Sequence, residues 1–134
     1  AELASWYFAF HSNNLNNEGQ VLLKADNNLR NFIYHKGSFY GFDFEEPLYG
    51  HEEEDLGECC AYILTNSPAF TEEKYFIVKE FISAYLKLNP LLNTNRVEEE
   101  IIRNLYILGE RRPKQKDEIL ANIEAFRFNS YFTS

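Results

Sequence analysis

Methionine is missing from all 134 residues, and the sequence opens directly on Ala1-Glu2-Leu3-Ala4, so it reads as a processed or partial piece of a longer protein. Cysteine is nearly missing too. Cys59 and Cys60 are adjacent, and a bridge between chain neighbours strains the backbone, which excludes a disulfide framework and leaves two reduced thiols in a core or on a helix surface. No apolar run approaches the roughly 20 residues that cross a bilayer, and no signal-peptide pattern is present. The expectation is a soluble, cytoplasmic protein with no membrane partner. Basic residues are few, 13 against 21 acidic ones for a net charge of −8, which argues against a nucleic-acid partner. Gly-x-Ser-x-Gly is lacking, no Cys pairs plausibly with a His, and neither His11 nor His35 has a partner at zinc-ligand spacing. Acyl transfer and zinc chemistry therefore have no footing, and both histidines read as structural.

What the chain does have is apolar bulk: 45% hydrophobic residues, with 12 Phe and 9 Tyr, enough for one sizeable core. Residues 1–134 read as a single domain without repeats or linkers. Ala1 to Phe10 carries apolar residues around most of its circumference and predicts a buried helix ending at His11. An Asn- and Gly-rich loop follows, then a brief strand at Val21-Leu22-Leu23. Phe32-Ile33-Tyr34 and Phe39-Tyr40-Gly41-Phe42, joined through Lys36-Gly37-Ser38, predict an antiparallel hairpin. After Pro47 the pattern turns helical. One helix is expected from the acidic run at Glu52 to about Thr65, a second capped by Thr71 with Tyr75, Val78, Ile82 and Tyr85 on one face. A third is expected from a cap at Thr94 or Asn95 to near Gly109, facing inward with Val97, Ile101, Leu105 and Leu108. A fourth starts about Pro113, with Ile119, Leu120, Ile123 and Phe126 inward. The fold class is α+β, mostly helical.

The chemistry concentrates in Asp26-Asn27-Asn28-Leu29-Arg30-Asn31 and, after the hairpin, Asp43-Phe44-Glu45. An Asp that can orient or deprotonate a hydroxyl, followed by an amide oxygen and a second carboxylate suited to Mg²⁺, is the ligand set of phosphoryl transfer from a nucleotide. Asp26, Asn27 and Asn28 would serve equally as turn formers, since Asx side chains bond their own backbone. Glu52 to Glu54 read as a solvated face, and Asp55 as a helix-start charge.

In this order, with a helix ending in Phe10-His11, Asp26-x4-Asn31, a hairpin, Asp43-Phe44-Glu45 and Asp55-Leu56 opening a helix, nearly the whole chain resembles the C-terminal lobe of the aminoglycoside phosphotransferase and choline kinase family, relatives of protein kinases. The resemblance implies a kinase-like C-lobe whose small hairpin carries the catalytic and metal-binding loop. It implies Asp26 as the catalytic residue, Asn31 and Asp43 as Mg²⁺ ligands, and Asp55 as the residue that braces the loop. ATP or another nucleoside triphosphate would be the donor. The acceptor would be a hydroxyl-bearing small molecule, with the helices after Asp55 on its side of the cleft. Glu45 and Glu46, beside Asp43, are candidate acceptor contacts, and the net charge leans toward a cationic acceptor over a neutral sugar. Two departures stand beside the match: Lys24 occupies the place where the family usually has His, and the Gly-rich loop and strand Lys of a nucleotide-binding lobe are not in the chain. That lobe would come in cis or in trans, and the fragment alone would be inactive. The alternative is a non-catalytic kinase-like binding or scaffold module.

Overall fold

The computed structural model describes residues 2–13, 20–23, 32–35, 38–41 and 48–129. Five helices and four short strands follow one another as α1 (Glu2–Ser12), β1 (Val21–Leu23), β2 (Phe32–His35), β3 (Ser38–Gly41), β4 (Leu48–Gly50), α2 (Glu52–Thr65), α3 (Glu72–Leu88), α4 (Thr94–Arg111) and α5 (Lys116–Asn129). The mostly helical expectation holds, and among the described residues β2 and β3 pair antiparallel.

Helix α2 is the axis of the body. It packs on α3 and α4 and touches β1; α4 continues the layer onto α5, and α1 lies against α3. The reason is in its composition: Leu56, Cys59, Cys60, Ala61 and Leu64 are all fully buried, a helix with little solvent face. The other helices each give the common core one stripe. Val97, Ile101, Leu105 and Leu108 come from α4 at a spacing of three and four, Val78, Phe81, Ile82 and Tyr85 from α3, and Ile119, Ile123 and Phe126 from α5. Tyr75 and Leu120, expected inside with these groups, are only partly buried. Cys59 and Cys60 are both buried and neither is in a disulfide, as their adjacency led us to expect.

Helix boundaries follow local chemistry. Thr71 caps α3 by accepting a hydrogen bond from the Lys74 amide at 3.2 Å. At α4 the cap is Asn93, one residue ahead of the two candidates, accepting from the Arg96 amide at 3.1 Å. The shift has a cause: the Asn93 amide itself donates to the Glu53 carboxylate at 3.0 Å, which pins that residue in extended geometry outside the helix. Helix α4 then runs past Gly109 to Arg111, and α5 begins at Lys116.

The strands make two separate two-stranded antiparallel sheets. In the hairpin, Phe32 pairs with Gly41 and His35 with Ser38. The second sheet joins β1 to β4, with Val21 opposite Gly50 and Leu23 opposite Leu48. Three-residue strands separated by more than twenty residues carry no periodicity that sequence reading can pair. The paired strands β1 and β4 flank residues 24–47 in the chain.

Candidate functional site

The start of α2 gathers four consecutive carboxylates, and each is engaged individually. Glu52 accepts from the Asn89 amide group at 3.0 Å, Glu53 from the Asn93 backbone at 3.0 Å, and Glu54 from the His51 backbone at 2.7 Å, as in a capping box. Asp55 is bonded to His11 at 2.8 Å. Negative charge is favoured here by the unpaired amides of the first turn. The expectation of a solvated acidic face is corrected for Glu53, which is buried because it holds the α3–α4 connection.

Asp55 and its partner form the deepest polar group among the described residues. His11, the last buried residue of α1, is 2% exposed, Asp55 1% and Tyr85 of α3 1%. His11 Nε2 lies 2.8 Å from Asp55 Oδ2, and Nδ1 lies 2.9 Å from the Tyr85 hydroxyl. One imidazole thus ties α1, α2 and α3 together in the core. His11 is structural, as expected, but its role as the partner of Asp55 was not foreseen. The available signal was a histidine closing an otherwise apolar helix, a residue that needs a buried partner.

Burial keeps the neighbouring protons in place. Tyr85 is pushed well above the usual phenol range, first by burial and then by the carboxylates of Glu52, Glu53 and Asp55. Tyr7 is raised by burial and then by Cys59 and Asp55, and the Cys60 thiol by burial and then by Cys59. Raised acid pKa values mean that the unfolded chain loses these protons first, so their contribution is complete below about pH 8 and declines as pH rises through the thiol and phenol ranges. The urea midpoint is expected to fall between about pH 8 and about pH 11, and Tyr85→Phe should flatten that slope; an unchanged midpoint would contradict the burial argument.

Between α2 and α4, roofed by Leu23 at the end of β1, lies a cavity of about 240 Å³. Glu54, Asp55, Glu58 and Tyr62 line one wall; Arg103, Asn104, Ile107, Leu108 and Arg111 line the other. The arginines sit two turns apart on one face of α4 with Ile107 between them.

Of the residues singled out in the sequence, Asp55 is the one whose surroundings are defined. Asp26, Asn31, Asp43, Glu45 and Glu46 lie outside the described residues. In chain order all five fall in the segment between the paired strands β1 and β4. Asn31 immediately precedes Phe32, and Asp43 comes two residues after Gly41, its partner across the hairpin. Among the described residues there is no group of three or more His, Cys, Asp or Glu side chains that would hold a metal ion. No helix among them is long and apolar enough to cross a membrane. Compared with known proteins, the chain matches no family model, no curated protein and no solved structure.

Proposed function

We propose that this chain is the catalytic-loop and acceptor-binding lobe of an ATP-dependent phosphotransferase acting on a hydroxyl of a small molecule, the nucleotide-binding lobe being supplied in cis or in trans. The observation that supports the reading is the antiparallel pairing of β2 with β3, Phe32 opposite Gly41, with Asn31 just ahead of the first strand and Asp43 two residues past the second in chain order. The pairing of Leu23 with Leu48 supports it by anchoring both ends of the segment that contains Asp26. The amide oxygen of Asn31 and the carboxylate of Asp43 are the hard donors that Mg²⁺ takes, and the ion would neutralise charge on the nucleotide phosphates. In the reaction the acceptor hydroxyl oxygen bonds to the γ-phosphorus, and the bond from that phosphorus to the ADP oxygen breaks. The hydroxyl proton passes to the Asp26 carboxylate. Asp55 acts behind the loop as a positioning residue, held by His11.

Lys24, in the place of the family's usual histidine, favours the second reading, a kinase-like binding or scaffold module without chemistry. Phosphate transfer from labelled ATP, measured on the protein carrying both lobes with amino-alcohol, aminoglycoside and sugar acceptors, separates the two. Turnover is expected, with Asp26→Asn lowering kcat by about 10²- to 10⁴-fold and leaving the acceptor KM within a few-fold. Full activity in Asp26→Asn would remove Asp26 from the mechanism. A protein silent toward every acceptor, yet still able to bind a partner, would establish the scaffold reading.

A further inference from the structure

The acidic run Glu52 to Asp55 is the obvious candidate for steering a cationic acceptor. Its four carboxylates, however, already accept hydrogen bonds from Asn89, Asn93, His51 and His11. A carboxylate so engaged has part of its charge answered before any ligand arrives. The cations of α4 differ. Arg112, just past the helix, is committed to Thr65 Oγ1 at 3.1 Å and Gln115 Oε1 at 3.3 Å. Lys116 is paired with Glu110 at 3.1 Å. Arg103 reaches Glu100 only at 3.4 Å, with its side chain 64% exposed, and Arg111 has no hydrogen bond or ion pair among the described residues. Arg96 likewise has no side-chain hydrogen bond or ion pair among the described residues, but of these three arginines only Arg103 and Arg111 line the cavity between α2 and α4.

We infer that this cavity is the acceptor pocket and that it takes a small polyol bearing an oxyanion, a phosphate or a carboxylate, with Arg103 and Arg111 on the oxyanion; the acceptor role rests on the phosphotransferase reading above. A guanidinium presents a planar fork of donors that matches either group in a bidentate manner. The Glu58 carboxylate across the cleft, and on the arginines' own wall the amide oxygen of Asn104, whose NH2 donates to the Glu100 carbonyl at 2.8 Å, are chemically suited to hydroxyls, and Ile107 and Leu108 cover the carbon skeleton. The volume of about 240 Å³ is below the roughly 300–1,000 Å³ usual for drug-sized ligands and suits a ligand smaller than an aminoglycoside or oligosaccharide. The location agrees: Leu23, on the rim, precedes Asp26 by three residues, and Asp55 forms part of the floor.

Calorimetric titration of the 134-residue chain with glycerol 3-phosphate, inorganic phosphate, glycerol and choline tests this without nucleotide. Glycerol 3-phosphate is expected to bind at least about tenfold more tightly than the other three, and Arg111→Gln to weaken it at least about tenfold. Arg103→Gln should act in the same direction, and Glu58→Gln should weaken glycerol 3-phosphate while sparing inorganic phosphate. Lys114→Gln, a nearby exposed cation that does not line the cavity, should change nothing. Equal binding of glycerol or choline, or unchanged affinity in the Arg103→Gln/Arg111→Gln double variant, would overturn the assignment. Preference for inorganic phosphate would overturn its polyol part. The two readings fail separately. Transfer to a cationic or neutral acceptor without phosphate-ester binding leaves the kinase standing and removes this pocket, whereas tight binding without any transfer keeps the ligand class and removes the acceptor role.

Discussion

His11→Ala is expected to lower the unfolding free energy by about 3–5 kcal/mol, a large share of the roughly 5–15 kcal/mol that holds a domain of this size. The reason is the position of Asp55. With Asp55 at 1% exposure, removing the 2.8 Å imidazole donor withdraws a principal hydrogen bond from a nearly fully buried carboxylate. It also leaves the Tyr85 hydroxyl without its ring acceptor, a further loss that Tyr85→Phe isolates from the other side at about 1–3 kcal/mol. The double variant His11→Ala/Asp55→Ala should be less damaged than the sum of the singles, by a coupling of about 0.5–3 kcal/mol, because one partner's removal also removes the other's need. Urea unfolding at neutral pH measures all four states. A cost below about 1 kcal/mol for His11→Ala would mean that Asp55 is adequately held by other groups, and the bracing role would lose its support.

The helices were legible because burial and period coincide in them. Val97, Ile101, Leu105 and Leu108 could be assigned to one face of α4 before any coordinates, and all four are buried. The hairpin was legible for a different reason, since Lys36-Gly37-Ser38 punctuates two aromatic runs. Contacts decided by distant partners were not legible. Nothing local to Glu53 distinguishes it from Glu52 or Glu54, and only the Asn93 amide, forty positions away, draws it into the interior. Likewise Asp55 reads as a helix-start charge until the end of α1 is brought against it. The same limit governed the electrostatics. A count of charges could not show that the acidic run accepts hydrogen bonds locally, nor that Arg103 and Arg111 stand opposite Glu54, Asp55 and Glu58 at the cavity.

Gly57→Ala should destabilise the protein by about 1–3 kcal/mol, although alanine is the better helix former by about 1 kcal/mol. Packing outweighs propensity because α2 and α4 meet almost backbone to backbone at this point. An added Cβ would collide with the Glu100 Cβ and lie 2.9 Å from the Glu100 carbonyl carbon and 3.0 Å from the Ile101 nitrogen. Two of those three atoms are main chain, so relief requires the helices to separate. Separation loosens the fully buried Leu56, Ile101 and Leu105 along the same seam and distorts the cavity beside it. Gly109 near the end of α4 provides the control. There an added Cβ would meet only Ile119 Cγ2 at 3.8 Å and Lys116 Cγ at 3.9 Å, ordinary contact distances. With space available, propensity and the lower entropy of the unfolded chain decide, and Gly109→Ala should stabilise by up to about 1 kcal/mol. Two identical substitutions on adjoining helices are thus expected to shift the urea midpoint in opposite directions. If Gly57→Ala raises it as Gly109→Ala does, α2 and α4 are not in the close contact on which the shape of the cavity depends.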